Sequence, residues 1–264
     1  MTERLIALDL DGTTITHAGV LRPAVREAVQ AVAATGMHIV VATGRSIVAT
    51  TPILDALGLT TGYVVCSNGA VTLALDPDEP QGYQILETVT FDPAPALELL
   101  RDSWPDAVIA VEELGVGFKV SAPFPDGELD GELRVVSWEE LVADPVTRVT
   151  FRSPTGTSED FEELAERIGL HEVNYNIGFT AWMDINPEGV SKGSALELLR
   201  RRLEVEPMHT VAVGDQRNDL EMLQWAARGV AMGNAPEEVK AVADEVTGHV
   251  DDDGLVPVLR SLLS

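Results

Sequence analysis

From residue 5 to 67 short apolar runs alternate with amphipathic stretches, the pattern of parallel strands joined by crossover helices. "LIAL" at 5–8 predicts a buried strand. Pro23 is tolerated in a first helical turn, and Val25, Ala28, Val29, Val32 and Ala33 then recur at helical spacing until Gly36 stops the run. "HIVVA" at 38–42 predicts the second strand. Ser46 is placed to cap a helix running to about Leu57, with Gly58 as its stop, and "YVVCS" at 63–67 predicts a third strand. Asn68-Gly69 follows, a hairpin signal into "AVTLAL", because both residues accept positive φ at low cost.

The character changes between about 81 and 186. Prolines and glycines interrupt the pattern, and the strands "VIAVE", "FKVS" and "RVTFR" are interspersed with helices expected near 93–104 and 158–168. This reads as an α+β insert. The first style resumes afterwards: a helix over about 192–203, the strand "TVAVG", a helix after Asn218, the strand "GVAM" and a last helix. The expectation is an α/β fold whose parallel-sheet core comprises 1–82 and 187–264, with 83–186 as the separate insert. The acidic run "DDDG" at 251–254 reads as a solvated loop.

Composition changes this picture in three places. Acidic residues outnumber basic ones 43 to 18, a net charge of −25, so the long-range field repels polyanions and nucleic acid is excluded as a partner. A small phosphorylated substrate is still allowed, since a local metal ion or lysine outweighs a distant field inside a cleft. Cys66 is the single cysteine, which rules out an internal disulfide framework and fits a reducing compartment. No run approaches the roughly 20 apolar residues of a membrane span, and "MTERLIALDL" lacks the apolar region of a signal peptide. A cytoplasmic protein, monomer or homodimer, without membrane association is expected.

The candidate chemistry sits where strands end. In open α/β sheets ligands bind beyond the carboxyl ends of the strands. "DLDGT" follows the first strand, "ATGR" the second, and "GDQRND" the strand at 209–213, while Lys192 opens the helix before it. Each alone has a plain structural reading, as a turn, a cap or a surface lysine. Together they make a set. Asp9 is a candidate nucleophile toward phosphorus and Asp11 a candidate acid and base, which would split one displacement into two. Two anions approaching each other require cations: Asp215 would complete an oxygen site for a hard ion, and Lys192 would supply an ammonium. Thr43 offers a hydroxyl and Gly44 a close backbone approach for a phosphoryl group. Asp219 and Asn218 would hold metal waters or the lysine head, with an N-cap as the alternative for Asn218.

DLDGT, then Thr-Gly, then a lone Lys, then GDxxND, in that order, resembles the four motifs of the haloacid-dehalogenase-like superfamily. The long interval from Thr43 to Lys192 matches members with a large cap inserted there. "SNGA", "GVSKGSAL", "VAMGNA" and "DDDGLVPVL" are similar to its Cof-type phosphatase branch, with a type IIB cap. The resemblance implies a Rossmann-like core, an α+β cap and a Mg2+-dependent phosphatase acting on a sugar phosphate, nucleotide monophosphate or phosphorylated cofactor through an aspartyl-phosphate. It further implies Asp9 as nucleophile, Asp11 as acid/base and metal ligand through its backbone carbonyl, Asp9 and Asp215 as metal carboxylates, and Thr43, Gly44, Lys192 and Asn218 around the phosphoryl group.

Arg45 and Asn68 are candidate substrate contacts, and a salt bridge to an acidic neighbour explains Arg45 equally well. In the insert Lys119, Arg148, Arg152, Asn174 and Tyr175 could reach a substrate, although exposed basic residues are usually just solvated. The five histidines show no metal-ligand spacing and read as structural or exposed. Two other functions share this core: a sugar phosphomutase, and a regulator that binds a phospholigand without turnover.

Overall fold

A computed structural model describes residues 4–125, 127–153, 173–177 and 182–263. They form two compact units, one of Met1–Arg45, Thr50–Glu87 and Ser191–Ser264, the other of Ser46–Ala49 and Thr88–Val190. Along the chain come β1 (Leu5–Leu8), α1 (Pro23–Ala33), β2 (His38–Ala42), α2 (Ile47–Leu57), β3 (Gly62–Cys66), β4 (Val71–Leu75) and β5 (Tyr83–Thr88). Then follow α3 (Ala94–Ser103), β6 (Val108–Glu113), β7 (Gly117–Val120), β8 (Glu132–Val135), α4 (Trp138–Leu141), β9 (Val149–Arg152), β10 (Val173–Ile177) and β11 (Trp182–Pro187). The chain ends with α5 (Lys192–Arg202), β12 (Thr210–Gly214), α6 (Leu220–Trp225), β13 (Arg228–Ala231), α7 (Glu237–Val242), β14 (Glu245–Val246) and α8 (Leu255–Ser261). No described helix is long and apolar enough to cross a membrane.

The first unit is built on an eight-stranded sheet in the order β14-β13-β12-β1-β2-β3-β4-β5. From β14 to β3 every pair is parallel, and β3 and β4 are antiparallel. A parallel sheet is covered on both faces, which explains why β1 reads as an unbroken apolar run and is buried at all four positions. Alternation sends Leu5 and Ala7 into one cluster with Val40, Ala42, Leu196, Leu199 and Met222. Each large aliphatic side chain so buried contributes about 1.5–3 kcal/mol.

The helix starting at Pro23 and the helix after Ser46 form as the pattern predicts, the latter with the Ala49 amide donating to Ser46 Oγ at 3.3 Å. Asn68-Gly69 does turn the chain between β3 and β4, but over four residues. The last paired positions are Cys66 and Val71, and Ser67 joins Asn68 in the left-handed region, φ 50° and 55°. β5 pairs into this first sheet, and β11 runs through Pro187 within the second unit.

Within "DDDG", Asp251 and Asp252 are exposed, as a solvated run should be, while Asp253 is partly buried. Val250–Asp252 form a single 3-10 turn, Asp253 takes φ 57°, and its carboxylate accepts from Arg22 Nε at 2.5 Å. An acidic run is held in place where a fixed guanidinium meets it.

The second unit is a six-stranded sheet in the order β10-β11-β9-β6-β7-β8, antiparallel except for β7 with β8. Here the strands alternate, as sheets with two different faces do. Ile109, Val111, Val149, Phe151, Met183 and Ile185 pack beneath Leu97 and Leu100 of α3, while Ala110, Phe118 and Val120 face the other side with Phe124. The helix expected near 158–168 lies outside the described residues.

Candidate active site

Because β1, β2, β3, β12 and β13 are parallel, their carboxyl ends lie along one edge of the sheet. Asp9 is the first residue beyond β1, and its amide still donates to the Val213 carbonyl of β12, at 3.0 Å. The chain then tightens. The Leu10 carbonyl accepts from the amides of Thr13, Thr14 and Ile15, and Gly12 sits at φ +83°. A Cβ at Gly12 would collide with the Asp215 carboxylate and the His17 ring, so backbone conformation and space both require glycine there.

Lys192 is fully buried at the start of α5, below its N-cap Ser191, whose Oγ accepts from the Ser194 amide. Its Nζ donates to Asp9 Oδ1 and to Asp219 Oδ1, both at 2.7 Å. Burial opposes the charge on Lys192, but Asp219 and Asp9 outweigh it and hold the ammonium above the usual lysine range. Burial, reinforced by Asp219, holds the Asp9 carboxyl well above its usual range even though Lys192 pulls the other way. Asp9 Oδ2 is buried without a hydrogen-bond partner among the described residues. Asp219 is fully engaged: Oδ2 accepts the amides of Asp215 and Gln216, each at 2.9 Å.

Asp215 follows β12 and is fully buried. Thr13 Oγ1 donates to its Oδ1 at 3.0 Å, and Gln216 Nε2 and Asn234 Nδ2 donate to Oδ2 at 2.9 and 3.0 Å. Burial, then Asp219, pushes this carboxyl up to about 6, against the donors Gln216 and Thr13 and nearby His17. One carboxylate oxygen from each of Asp9, Asp215 and Asp219 lies within 4.8 Å of the others. An all-oxygen donor set with one buried orphan oxygen fits a hard divalent cation.

The second motif closes against the same edge. Thr43 is buried, its Oγ1 accepts the Arg45 amide at 3.1 Å, and its carbonyl accepts the Asn68 amide at 3.0 Å. A Cβ on Gly44 would sit 3.0 Å from Asn68 Oδ1 and 3.4 Å from Asn218 Nδ2. Asn218 Nδ2 donates to Asn68 Oδ1 at 2.9 Å, while Asn218 Oδ1 is buried with no hydrogen-bond partner among the described residues. Asn218 lies inside the 3-10 turn Arg217–Asp219, whose N-cap is Gln216, so it does not act as a cap. Arg45 is paired with Asp11: Nε and Nη2 reach the two carboxylate oxygens at 2.7 and 2.6 Å.

All of the site residues singled out in the first unit therefore meet at one edge. Asn234, the asparagine of "VAMGNA", joins them. It donates to the Gly12 carbonyl at 2.8 Å as well as to Asp215, and its Oδ1 accepts the Val250 amide at 2.9 Å. The available signal was its place just past β13, at the same strand-end edge. His17, read as structural or exposed, is 57% exposed, with Nε2 3.8 Å from Asp215 Oδ2.

In the second unit Arg148 is buried beside Glu112 and Asp184, with its guanidinium 5.2 Å from the Phe118 ring centre. Arg152 pairs with Glu128. Lys119 lines a cavity of about 310 Å³ with Glu112, Glu113, Glu140 and Asp144. Asn174 and Tyr175 lie on β10, and their side chains fall outside the described residues.

A family model for haloacid dehalogenase-like hydrolases matches residues 6–103 and 132–259. The chain is similar to the pyridoxal phosphate phosphatase YbhA of Escherichia coli, 30% identical with all of both chains covered. It is also similar to the phosphatase YwpJ of Bacillus subtilis, 29% identical over 98% of this chain and all of that one. Among solved structures, a HAD-superfamily phosphatase from Bacteroides thetaiotaomicron matches with a TM-score of 0.82 and 27% identity, covering 98% of this chain and 95% of that one.

Proposed function

The chain belongs to the haloacid dehalogenase-like hydrolase family, in its Cof-type branch, and is a phosphoric monoester hydrolase; from that premise we propose a magnesium-dependent phosphatase of a small phosphorylated metabolite, working through an aspartyl-phosphate. The observation that carries this reading is the Asp9 carboxylate, with one oxygen tied to Lys192 and the other buried and unpartnered. A carboxylate held that way is poised for a ligand or for phosphorus.

Asp9 attacks phosphorus, an oxygen–phosphorus bond forms, and the ester bond to the leaving oxygen breaks as Asp11 gives that oxygen a proton. Asp11 then takes a proton from water as the water attacks the same phosphorus. The bond to Asp9 breaks, inorganic phosphate leaves, and both carboxyl groups return to their starting state. Thr43 accepts the Arg45 amide through Oγ1, which leaves its hydroxyl proton for a phosphoryl oxygen. Lys192 offsets charge between the anionic nucleophile and the anionic group it attacks. Asp9, Asp215 and the Asp11 carbonyl would hold the magnesium ion, while Asp219, saturated by Lys192 and two amides, would hold those groups in place. When bound, the ion supplies positive charge that lowers the barrier to bringing two anions together. The full-length match to a phosphatase named for pyridoxal phosphate supports a cofactor-sized phosphate ester as substrate.

The test is a panel of phosphate esters with and without magnesium, and rapid acid quenching with a radiolabelled ester. Wild type is expected to release phosphate only with the ion and to carry acid-stable, base-labile label, and Asp9→Asn to do neither. Undiminished turnover by Asp9→Asn would overturn the assignment, and isomerised hexose phosphate without phosphate release would favour a mutase.

A further inference from the structure

Building on the phosphatase reading, we infer that Arg45 is a positioning residue for Asp11, fixing the acid/base carboxylate in register with the loop that holds the phosphoryl group. Both ends of the link are anchored. The Arg45 amide donates to Thr43 Oγ1 at 3.1 Å and its carbonyl accepts the Ser67 amide at 2.9 Å, so its backbone belongs to the Thr43–Gly44 loop. Asp11 belongs to the tight turn after β1 and bridges to Ile15. Between them the guanidinium grips both carboxylate oxygens, at 2.7 and 2.6 Å.

The geometry of that grip matters. A planar fork bound to both oxygens sets the plane of the carboxylate as well as its distance, which one ammonium point charge does not do. The Asp11 side chain is 40% exposed, and among the described residues the Arg45 guanidinium is its one side-chain partner, so without the fork its carboxylate would be free to turn toward water. Two other roles predict different behaviour. A solvated surface ion pair contributes about 0–1 kcal/mol and nothing to turnover. A direct grip on the phosphoryl group would affect every ester alike, mainly through KM.

Leaving groups separate these roles. An alkyl phosphate needs a proton delivered to its leaving oxygen, whereas the dinitrophenolate of 2,4-dinitrophenyl phosphate departs without one. General acid catalysis contributes about 10²- to 10⁴-fold. With magnesium present, Arg45→Met is expected to lower the single-turnover rate of alcohol release from the alkyl ester by roughly 10²-fold, near the lower end of that range. The single-turnover release of dinitrophenolate should fall only about threefold, with little change in KM for either ester, because that departure draws little on the acid; release in the first turnover is the readout, since Asp11 serves as base in the later hydrolysis of the aspartyl-phosphate from both esters. Arg45→Lys, which keeps charge but not the fork, should show the same split more weakly. A fall of equal size on both esters, a rise in KM as the main effect, or an unimpaired alkyl rate would each overturn the inference and leave the phosphatase reading standing. A wild type that turns over neither ester would overturn that reading, and this inference with it.

Discussion

Replacing Lys192 by Met tests how strongly the ammonium holds the site together. The side chain is fully buried and lies 2.7 Å from both Asp9 Oδ1 and Asp219 Oδ1. Methionine keeps most of the volume, so the packing loss is small. What remains is two buried carboxylates whose oxygens approach within 4.8 Å. At an effective dielectric of about 20, two unit charges at that distance repel by about 3.5 kcal/mol. Removing one partner of a buried ion pair costs a similar amount, about 3–5 kcal/mol. Measured without divalent ions at pH 8, amides of β1 and β12 that exchange through unfolding should therefore exchange about 140- to 720-fold faster, taking 3–4 kcal/mol at about 1.4 kcal/mol per tenfold.

The deficit should also depend on pH. Burial and Asp219 already raise the Asp9 carboxyl, and losing Lys192 removes the group that pulls it down. The folded variant then binds a proton that the unfolded chain releases, so its stability is present at acid pH and lost as pH rises through the folded-state value. Exchange should differ from wild type less at pH 5 than at pH 8. An increase below about fivefold at pH 8, or a larger deficit at pH 5, would refute the electrostatic argument.

Magnesium and pH give the remaining tests. Magnesium should stabilise the wild type, by about 2.7 kcal/mol at one hundred times its Kd, and raise the melting temperature. Asp215→Asn should abolish that rise, and Asn234→Ala should weaken ion affinity by about 10- to 100-fold through loss of its bond to Asp215, as read by calorimetry. Further along α5, Arg200 holds the Glu197 carboxyl well below the usual range against burial, helped by Trp225 and Arg201. A depressed carboxyl stabilises above its unfolded value and loses that contribution as pH falls. Glu197→Gln should therefore flatten the acid side of a plot of melting temperature against pH, with a loss at neutral pH of no more than about 1 kcal/mol because Arg201 is well exposed.

The sequence by itself determined the parallel sheet and the chemical inventory of its edge. Buried strands such as "LIAL" and "TVAVG" need continuous apolar runs, and each hands the chain to polar residues where the sheet stops, so Asp9, Thr43 and Asp215 were legible as strand-end groups. Helix boundaries at Pro23, Ser46 and Lys192 were legible too, because proline, capping hydroxyls and helical spacing act locally. Folding decided which of these groups meet. Lys192 joins Asp9 across 183 positions, and Asn234 joins Gly12 across 222, through contacts for which linear spacing carries no signal. Tertiary pairing also sets β5 beside β4 at the edge of the first sheet. It likewise drew Arg45 onto Asp11, a choice fixed by where two rigid loops place a fork and a carboxylate rather than by either residue's own preference.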